Sequence, residues 1–244
     1  HHKFTAHDVG ALLAAGVWEV VVYETIHVAI MPTGDEVLDF TLRPEPGKGQ
    51  VVESNSQVLA ALAKDAGCTV SRVPPVPDKL DELSQGFESL LDSDAHVVVI
   101  CAGSSAGSKD FTRTIIEKHG QVLIHGIQAM PGKPSLLGVA KGKLVVGAPG
   151  YPVSAVVCFE ELVKPLLAWL GRDQERKPLQ IEAMLTRRSP SKLGLEEFLR
   201  LSVGKVGDKY VATPLSRGAG NITSLSRAQA VTRIPADREG VEQG

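Results

Sequence analysis

The sequence is poor in cysteine and aromatic residues and carries no surplus of either charge. Its 244 residues hold three cysteines, Cys68, Cys101 and Cys158, far apart in apolar surroundings and without the close paired spacing of a zinc site or a disulfide framework. They read as core thiols. Lys and Arg number 26 against 28 for Asp and Glu, so there is no general polycation to hold nucleic acid or an acidic membrane surface. Specificity must come from local sites. No apolar run approaches the roughly 20 residues that cross a bilayer, and no charged start followed by an apolar core and a cleavage site appears. The cytoplasm is the expected compartment. An initiating methionine is missing as well: the chain begins His1-His2-Lys3, which reads as a tag remnant on a fragment whose natural beginning is absent. Neither an internal repeat nor a low-complexity tract is found. What is present, 43% hydrophobic and 22% charged residues, suits one large or two modest globular domains with real cores.

A short helix signal over 8–15 leads into Trp18-Glu-Val-Val-Val-Tyr23, and a doubly wound α/β pattern starts at His27-Val-Ala-Ile-Met31. Helices are expected over 56–66 and 80–91, and strands over 69–73 and 96–101, the second apolar enough to be buried on both faces. Leu80, Leu83, Phe87 and Leu90 form one helical stripe for packing on a sheet. Lys143 to Gly147 reads as a further buried strand and 153–170 as one long helix closed by Gly171. Beyond the charged linker ending at Pro178, short strands over 179–185, 197–203 and 210–213, the last after a Gly207-Asp208 turn, suggest a small separate β domain. The expected division is 1–22 as the end of a preceding domain or a linker, 23–172 as the α/β domain and 177–244 as the β domain.

Open parallel sheets bind ligands beyond the carboxyl ends of their strands, so the loops there carry the argument. Pro32-Thr-Gly-Asp-Glu36 puts a hydroxyl, a flexible glycine and two carboxylates at a strand end, a set suited to magnesium or a sugar hydroxyl but also compatible with an ordinary turn. Ala102-Gly-Ser-Ser-Ala-Gly-Ser-Lys-Asp-Phe111 joins a strand to a helix with free amides and three serine hydroxyls, as an anion site does, and Asp110 is available to a metal or as a helix cap. It departs from a Walker A loop, because Ser108 stands where that pattern needs glycine before the lysine. Gly147-Ala-Pro-Gly-Tyr-Pro-Val-Ser-Ala155 is a rigid turn into a helix. With Pro131-Gly-Lys-Pro134 these loops describe a crevice for a phosphorylated ligand and a divalent cation. No nucleophile with a partnered base is evident.

Thr33-Gly-Asp-Glu36, Glu53-Ser-Asn55, Gly103-Ser-Ser-Ala-Gly107 with Asp110-Phe111, Pro131-Gly-Lys-Pro134 and Pro149-Gly-Tyr-Pro-Val-Ser154, in that order, resemble the successive signatures of the MoeA/gephyrin E family. The resemblance implies a MogA-like three-layer α/β molybdopterin-binding domain followed by a small C-terminal β-barrel domain, working as a homodimer. It implies an enzyme that accepts adenylylated molybdopterin and molybdate, releases AMP in a magnesium-dependent step and inserts molybdenum. Position by position, Glu36, Glu53 and Asp110 match the acids that line the site and handle metal or molybdate. Thr33, Gly34, Asp35, Ser104, Ser105, Gly107 and Ser108 fall in ligand-contacting loops. Pro149, Pro152 and Ser154 match the rigid turn, and Lys133 the basic position facing a phosphate.

Three departures qualify the likeness. Glu53 stands where many members have Asp, Met130 and Gly126 stand where basic residues are common, and the chain starts after the family's N-terminal domains would have ended and stops one strand early. Since a partner subunit's N-terminal region completes the family's site, binding without turnover is one expectation for such a fragment. Two other readings stand beside the enzyme: a MogA-like molybdopterin adenylyltransferase, against which residues 177–244 argue, and a non-catalytic pterin-binding or scaffold module, which Met130 and the missing N-terminal region favour slightly.

Overall fold

The computed structural model describes residues 2–101, 111–173 and 178–244. Helix α1 (Ala6–Ala14) starts from a capping box between Thr5 and Asp8 and buries none of its residues. The α/β domain then runs β1 (His27–Pro32), the short parallel pair β2 (Val37–Leu38) and β3 (Val51–Val52), α2 (Asn55–Asp65), β4 (Thr69–Arg72), α3 (Leu80–Leu91), β5 (Val97–Cys101) and α4 (Phe111–His119). It continues through β6 (Gly120–His125), β7 (Ala129–Met130), β8 (Leu136–Ala140), β9 (Lys143–Ala148), α5 (Pro152–Cys158) and α6 (Lys164–Leu170). Six strands pair in the order β4-β1-β5-β9-β8-β6, the first four parallel and the last two antiparallel.

Strand periodicity explains the three layers. Successive side chains point to opposite faces, so Val28, Ile30, Val97 and Val99 pack with Leu59, Cys158, Phe159 and Val163 on one side. Ala29, Met31, Val98 and Ile100 pack with Leu83, Phe87, Leu90 and Ile116 on the other. All five residues of β5 are buried, as its unbroken apolar run requires. The stripe on α3 holds for Leu83, Phe87 and Leu90, whereas Leu80 lies on the same face but in the first turn and is 42% exposed. The single helix expected over 153–170 is interrupted by a π turn over Phe159–Val163. Pro165, one residue into α6, supplies the reason: it has no N–H to continue the α-helical pattern, and a π turn just before it absorbs the mismatch.

The C-terminal part comprises β10 (Met184–Leu185), β11 (Ser189–Pro190), β12 (Glu196–Val206), β13 (Lys209–Pro214), α7 (Thr223–Arg227), β14 (Ala230–Ile234) and β15 (Gly240–Val241). Its sheet has the order β10-β13-β12-β14, closed over Leu185, Leu199, Leu201, Ala212 and Ile234, while β11 pairs with β15. This is the small β domain expected after the α/β domain. The strand expected over 179–185 shrinks to two residues, since Leu179 and Ile181 are exposed and have no neighbouring strand. Strand β7 leaves the α/β domain to pair with β12 (Ala129 with Glu196, Met130 with Glu197), and Phe198 packs against Ala129 and Val157. The two domains are therefore joined by backbone pairing as well as side chains.

Cys101 and Cys158 are buried and Cys68 partly so. Burial disfavours a thiolate and pushes all three thiols above the usual range, Cys158 to about 11. Titration of the native chain with a chromogenic disulfide at pH 8 should therefore show Cys68 alone reacting, and slowly, with all three reacting in denaturant. Rapid modification of Cys101 in the native state would contradict this packing.

Candidate functional site

The register of the sheet aligns the strand ends. Pro32, Cys101 and Ala148 are partners across β1, β5 and β9, so the chain leaves all three strands at one edge. Antiparallel β8 begins there too, Leu136 lying opposite Gly147, which brings the 131–134 segment to the same edge. Thr33, Gly34, Asp35, Glu36, Lys133, Pro149, Pro152 and Ser154 thus lie along one rim. Ser104, Ser105, Gly107, Ser108 and Asp110 lie outside the described residues.

At the β1 end, buried Thr33 donates through its backbone N–H (2.9 Å) and its hydroxyl (3.3 Å) to the carbonyl of Cys101, which fixes the loop to the next strand. Gly34 has φ of 138°, and a Cβ there would come within 2.7 Å of Val37 and 2.9 Å of a Glu36 carboxylate oxygen, so glycine is required for Glu36 to fold back over the turn. The Asp35 carboxylate accepts the backbone N–H of Asp78 at 3.0 Å. Burial first, then the charges of Glu36 and Asp35, hold the Asp78 carboxyl above its ordinary range, against the opposing effect of a hydrogen bond from Thr33. Asp78 is an acid of this rim that sequence reasoning missed; the rigid Pro74-Pro75-Val76-Pro77 run leading to it was the available signal. Among the described residues no three His, Cys, Asp or Glu side chains are arranged to hold a metal ion.

Glu53 belongs to a different arrangement. Its side chain is 3% exposed, and its oxygens accept the backbone N–H of Ser56 (2.7 Å), the Ser56 hydroxyl and Arg72 (3.5 Å). Arg72 also donates to Ser56 Oγ (2.7 Å) and Asp39 (3.2 Å) and stacks over the Phe40 ring. The N–H of Thr41 first, with Arg72 assisting, holds the Asp39 carboxyl below its ordinary range. This network fixes the start of α2, from which Asn55 donates to the Gly150 carbonyl (2.7 Å) in the rigid turn after β9.

The other end of the rim opens into a crevice of about 340 Å³ between the domains, walled by the 130–134 segment, Ser154, β12, Arg217 and Ala219. Gly132, with φ of 122°, keeps the 131–134 segment tight against Val157. The α5 start is tied to the β domain, Val153 N–H donating to the Ala219 carbonyl at 3.0 Å. Exposed Lys133 and buried Ser154 reach this crevice, together with a residue that sequence reasoning missed, Arg200. Arg200 is 4% exposed and donates to the Ser216 carbonyl (3.0 Å), yet its buried Nε has no hydrogen-bond partner among the described residues. Burial disfavours its charge. Glu197 beside it is paired with Arg217. Lys133, Ser154 and Arg200 offer hydrogen-bond donors to an oxyanion along a wall that is otherwise mostly apolar.

The sequence profile described as "Probable molybdopterin binding domain" matches residues 29–169, and that of the MoeA C-terminal region (domain IV) matches 182–244. The chain belongs to the MoeA family. It is 34% identical over 194 residues to the molybdopterin molybdenumtransferase of Haemophilus influenzae, covering 78% of this chain and 46% of that protein. To the Bacillus subtilis protein of that name it is 31% identical over 240 residues, covering 97% and 55%. Among solved structures, the molybdopterin biosynthesis MoeA protein of Pyrococcus horikoshii superposes with a TM-score of 0.82 at 32% identity, over 100% of this chain and 58% of that one. The chain thus spans about half the length of the relatives it matches. Its part in molybdenum cofactor biosynthesis follows from membership of the MoeA family.

Two substitutions separate the kinds of carboxylate on this rim. A raised Asp78 carboxyl means that the folded chain holds its proton more tightly than the unfolded chain. Its ionisation therefore costs stability as pH rises above the ordinary value of 3.8. Asp78→Asn should melt higher than the parent at pH 7, with the difference vanishing in acid; a lower melting point at pH 7 would refute the repulsion. Arg72→Met strands Glu53 without its counter-charge and should cost about 3 kcal/mol in denaturant unfolding, whereas a loss below about 0.5 kcal/mol, the scale of ordinary surface substitutions, would place that network outside the core of the fold.

Proposed function

We propose that this chain forms the molybdopterin- and molybdate-holding part of a molybdenum-insertion enzyme, which takes adenylylated molybdopterin and releases AMP in a magnesium-dependent step. The observation that carries the reading is the interdomain crevice, where Lys133 and Ser154 of the α/β domain meet a buried Arg200 with a spare donor. Molybdate is a tetrahedral oxyanion and suits that end. The pterin phosphate is assigned to the 102–110 segment, with Ser104, Ser105, Gly107 and Ser108 as its contacts, and Thr33, Gly34 and Asp35 are assigned to the same ligand. Pro149 and Pro152 keep the turn between the two ends rigid, which limits the rearrangement needed on binding.

Magnesium fits the acid end of the rim. After burial, the charges of Glu36 and Asp35 raise the Asp78 carboxyl, so a cation bound beside Glu36 would ease that repulsion. Glu36, Asp78 and Asp110 would hold it, and when bound it offsets phosphate charge. Glu53, with both oxygens engaged, serves by positioning α2 and the turn after β9. The adenylyltransferase reading loses ground because Arg200 lies on β12, in the C-terminal region. Residues 1–22, with no buried side chain on α1, fit the end of an upstream domain, and a homodimer in which a partner's upstream domains close the rim completes the proposal. Among the described residues no helix is long and apolar enough to cross a membrane.

Arg200→Gln in the intact protein should lower molybdate-dependent AMP release by about tenfold, the worth of one charge-assisted hydrogen bond, while molybdopterin binding changes little. Unchanged release would remove the crevice from the reaction. A parallel assay of this chain against a version with the upstream region restored should show weaker, more salt-sensitive binding for the shorter one, since an open rim leaves its charges in water.

A further inference from the structure

We propose that the C-terminal domain carries a second anion site, for a phosphate group, in an arginine-lined crevice distinct from the interdomain one. Arg187, Arg188, Ser189, Pro214, Ser216 and Arg217 line a space of about 340 Å³, and of these only Arg217 also borders the interdomain crevice. Nothing in this proposal depends on molybdenum chemistry.

The charge distribution points to an anion. Arg217 is matched by Glu197, and Arg188 faces Glu242 at 3.0 Å with both side chains well exposed, where the pair is weak. Arg187 has no carboxylate partner among the described residues and donates one hydrogen bond, to the Pro214 carbonyl at 3.0 Å. Arg200, which lines the interdomain crevice, donates to the carbonyl of Ser216, a wall of this one. Three guanidinium groups, those of Arg187, Arg188 and Arg217, thus line one small space against the two carboxylates of Glu197 and Glu242. An incoming dianion would offset that excess.

The same contacts prepare the walls. Carbonyl oxygens would repel an anion, but those of Pro190, Pro214 and Ser216 already accept from Arg217, Arg187 and Arg200. The donors thereby hold the guanidinium planes in place. Ser189 is 3% exposed; its oxygen accepts from Arg217 (3.1 Å), which leaves the hydroxyl proton to donate. Two or three planar forks with a hydroxyl match the oxygens of a phosphate better than a carboxylate, which presents only two. The group is either inorganic phosphate or the end of a phosphomonoester.

Calorimetric titration of the chain with inorganic phosphate and, separately, with glycerol 3-phosphate tests this. Saturable binding is expected for at least one probe. Arg187→Gln and Arg188→Gln, both at exposed positions, should weaken it about tenfold each with circular dichroism unchanged, and Lys133→Gln, in the other crevice, should leave it intact. Binding of both probes alike identifies free phosphate as sufficient, and a marked preference for the ester identifies a monoester. The proposal is overturned if neither probe saturates, or if Lys133→Gln abolishes binding that Arg187→Gln leaves unchanged.

Discussion

The site depends first on the pairing of β5 on both sides. With β1 on one flank and β9 on the other, all five of its residues are buried, so no slip in register is possible without exposing apolar side chains or unpairing backbone groups. That constraint aligns Pro32, Cys101 and Ala148 at one level. Everything that leaves the sheet there inherits the alignment. Thr33 reinforces it locally, its N–H donating to the Cys101 carbonyl, so the acid-bearing turn is anchored to the central strand as well as shaped by Gly34.

A second constraint joins the domains. Two residues of β7 pair with the start of β12, Phe198 fills the gap against Ala129 and Val157, and Val153 donates to Ala219. The consequence is electrostatic. On an exposed strand Arg200 would turn to water; enclosed by the 130–134 segment and the start of α5, it is held buried with one donor unused. A buried donor left without a partner costs stability, so the junction between the domains is not optimised for stability at this point.

The parts that were legible in the sequence are those where local pattern and tertiary burial agree. The limits of α3 and the positions of β1, β5 and β9 follow from periodicity, and the rim loops from the rule that sites lie beyond parallel strand ends. The antiparallel half of the sheet was not legible, because β6 is largely exposed and reads as neither an alternating nor a buried strand. Arg200 was hidden for a related reason: in Glu197-Phe-Leu-Arg200 two charged residues flank two apolar ones with no period-two alternation, and nothing local marks the charged pair as buried, as both are in the fold. Asp78 was missed since it follows a proline run rather than a strand end, and the bridge from Thr33 to Val76 that brings it to the rim is a tertiary contact.

Glu53 and Asp78 show why identity alone does not assign a role. Both are acids close to the same edge. Glu53 receives two hydrogen bonds from Ser56 and a counter-charge from Arg72, so its oxygens are spoken for and its charge serves the fold. Asp78 is partly buried and faces the charges of Glu36 and Asp35, and burial first, then those charges, make its ionisation unfavourable. A protein selected for stability alone would have neutralised it, as it neutralised Glu53. The two acids thus differ in what surrounds them: hydrogen bonds and Arg72 commit the Glu53 oxygens to the fold, while burial and neighbouring like charges disfavour the ionised form of Asp78.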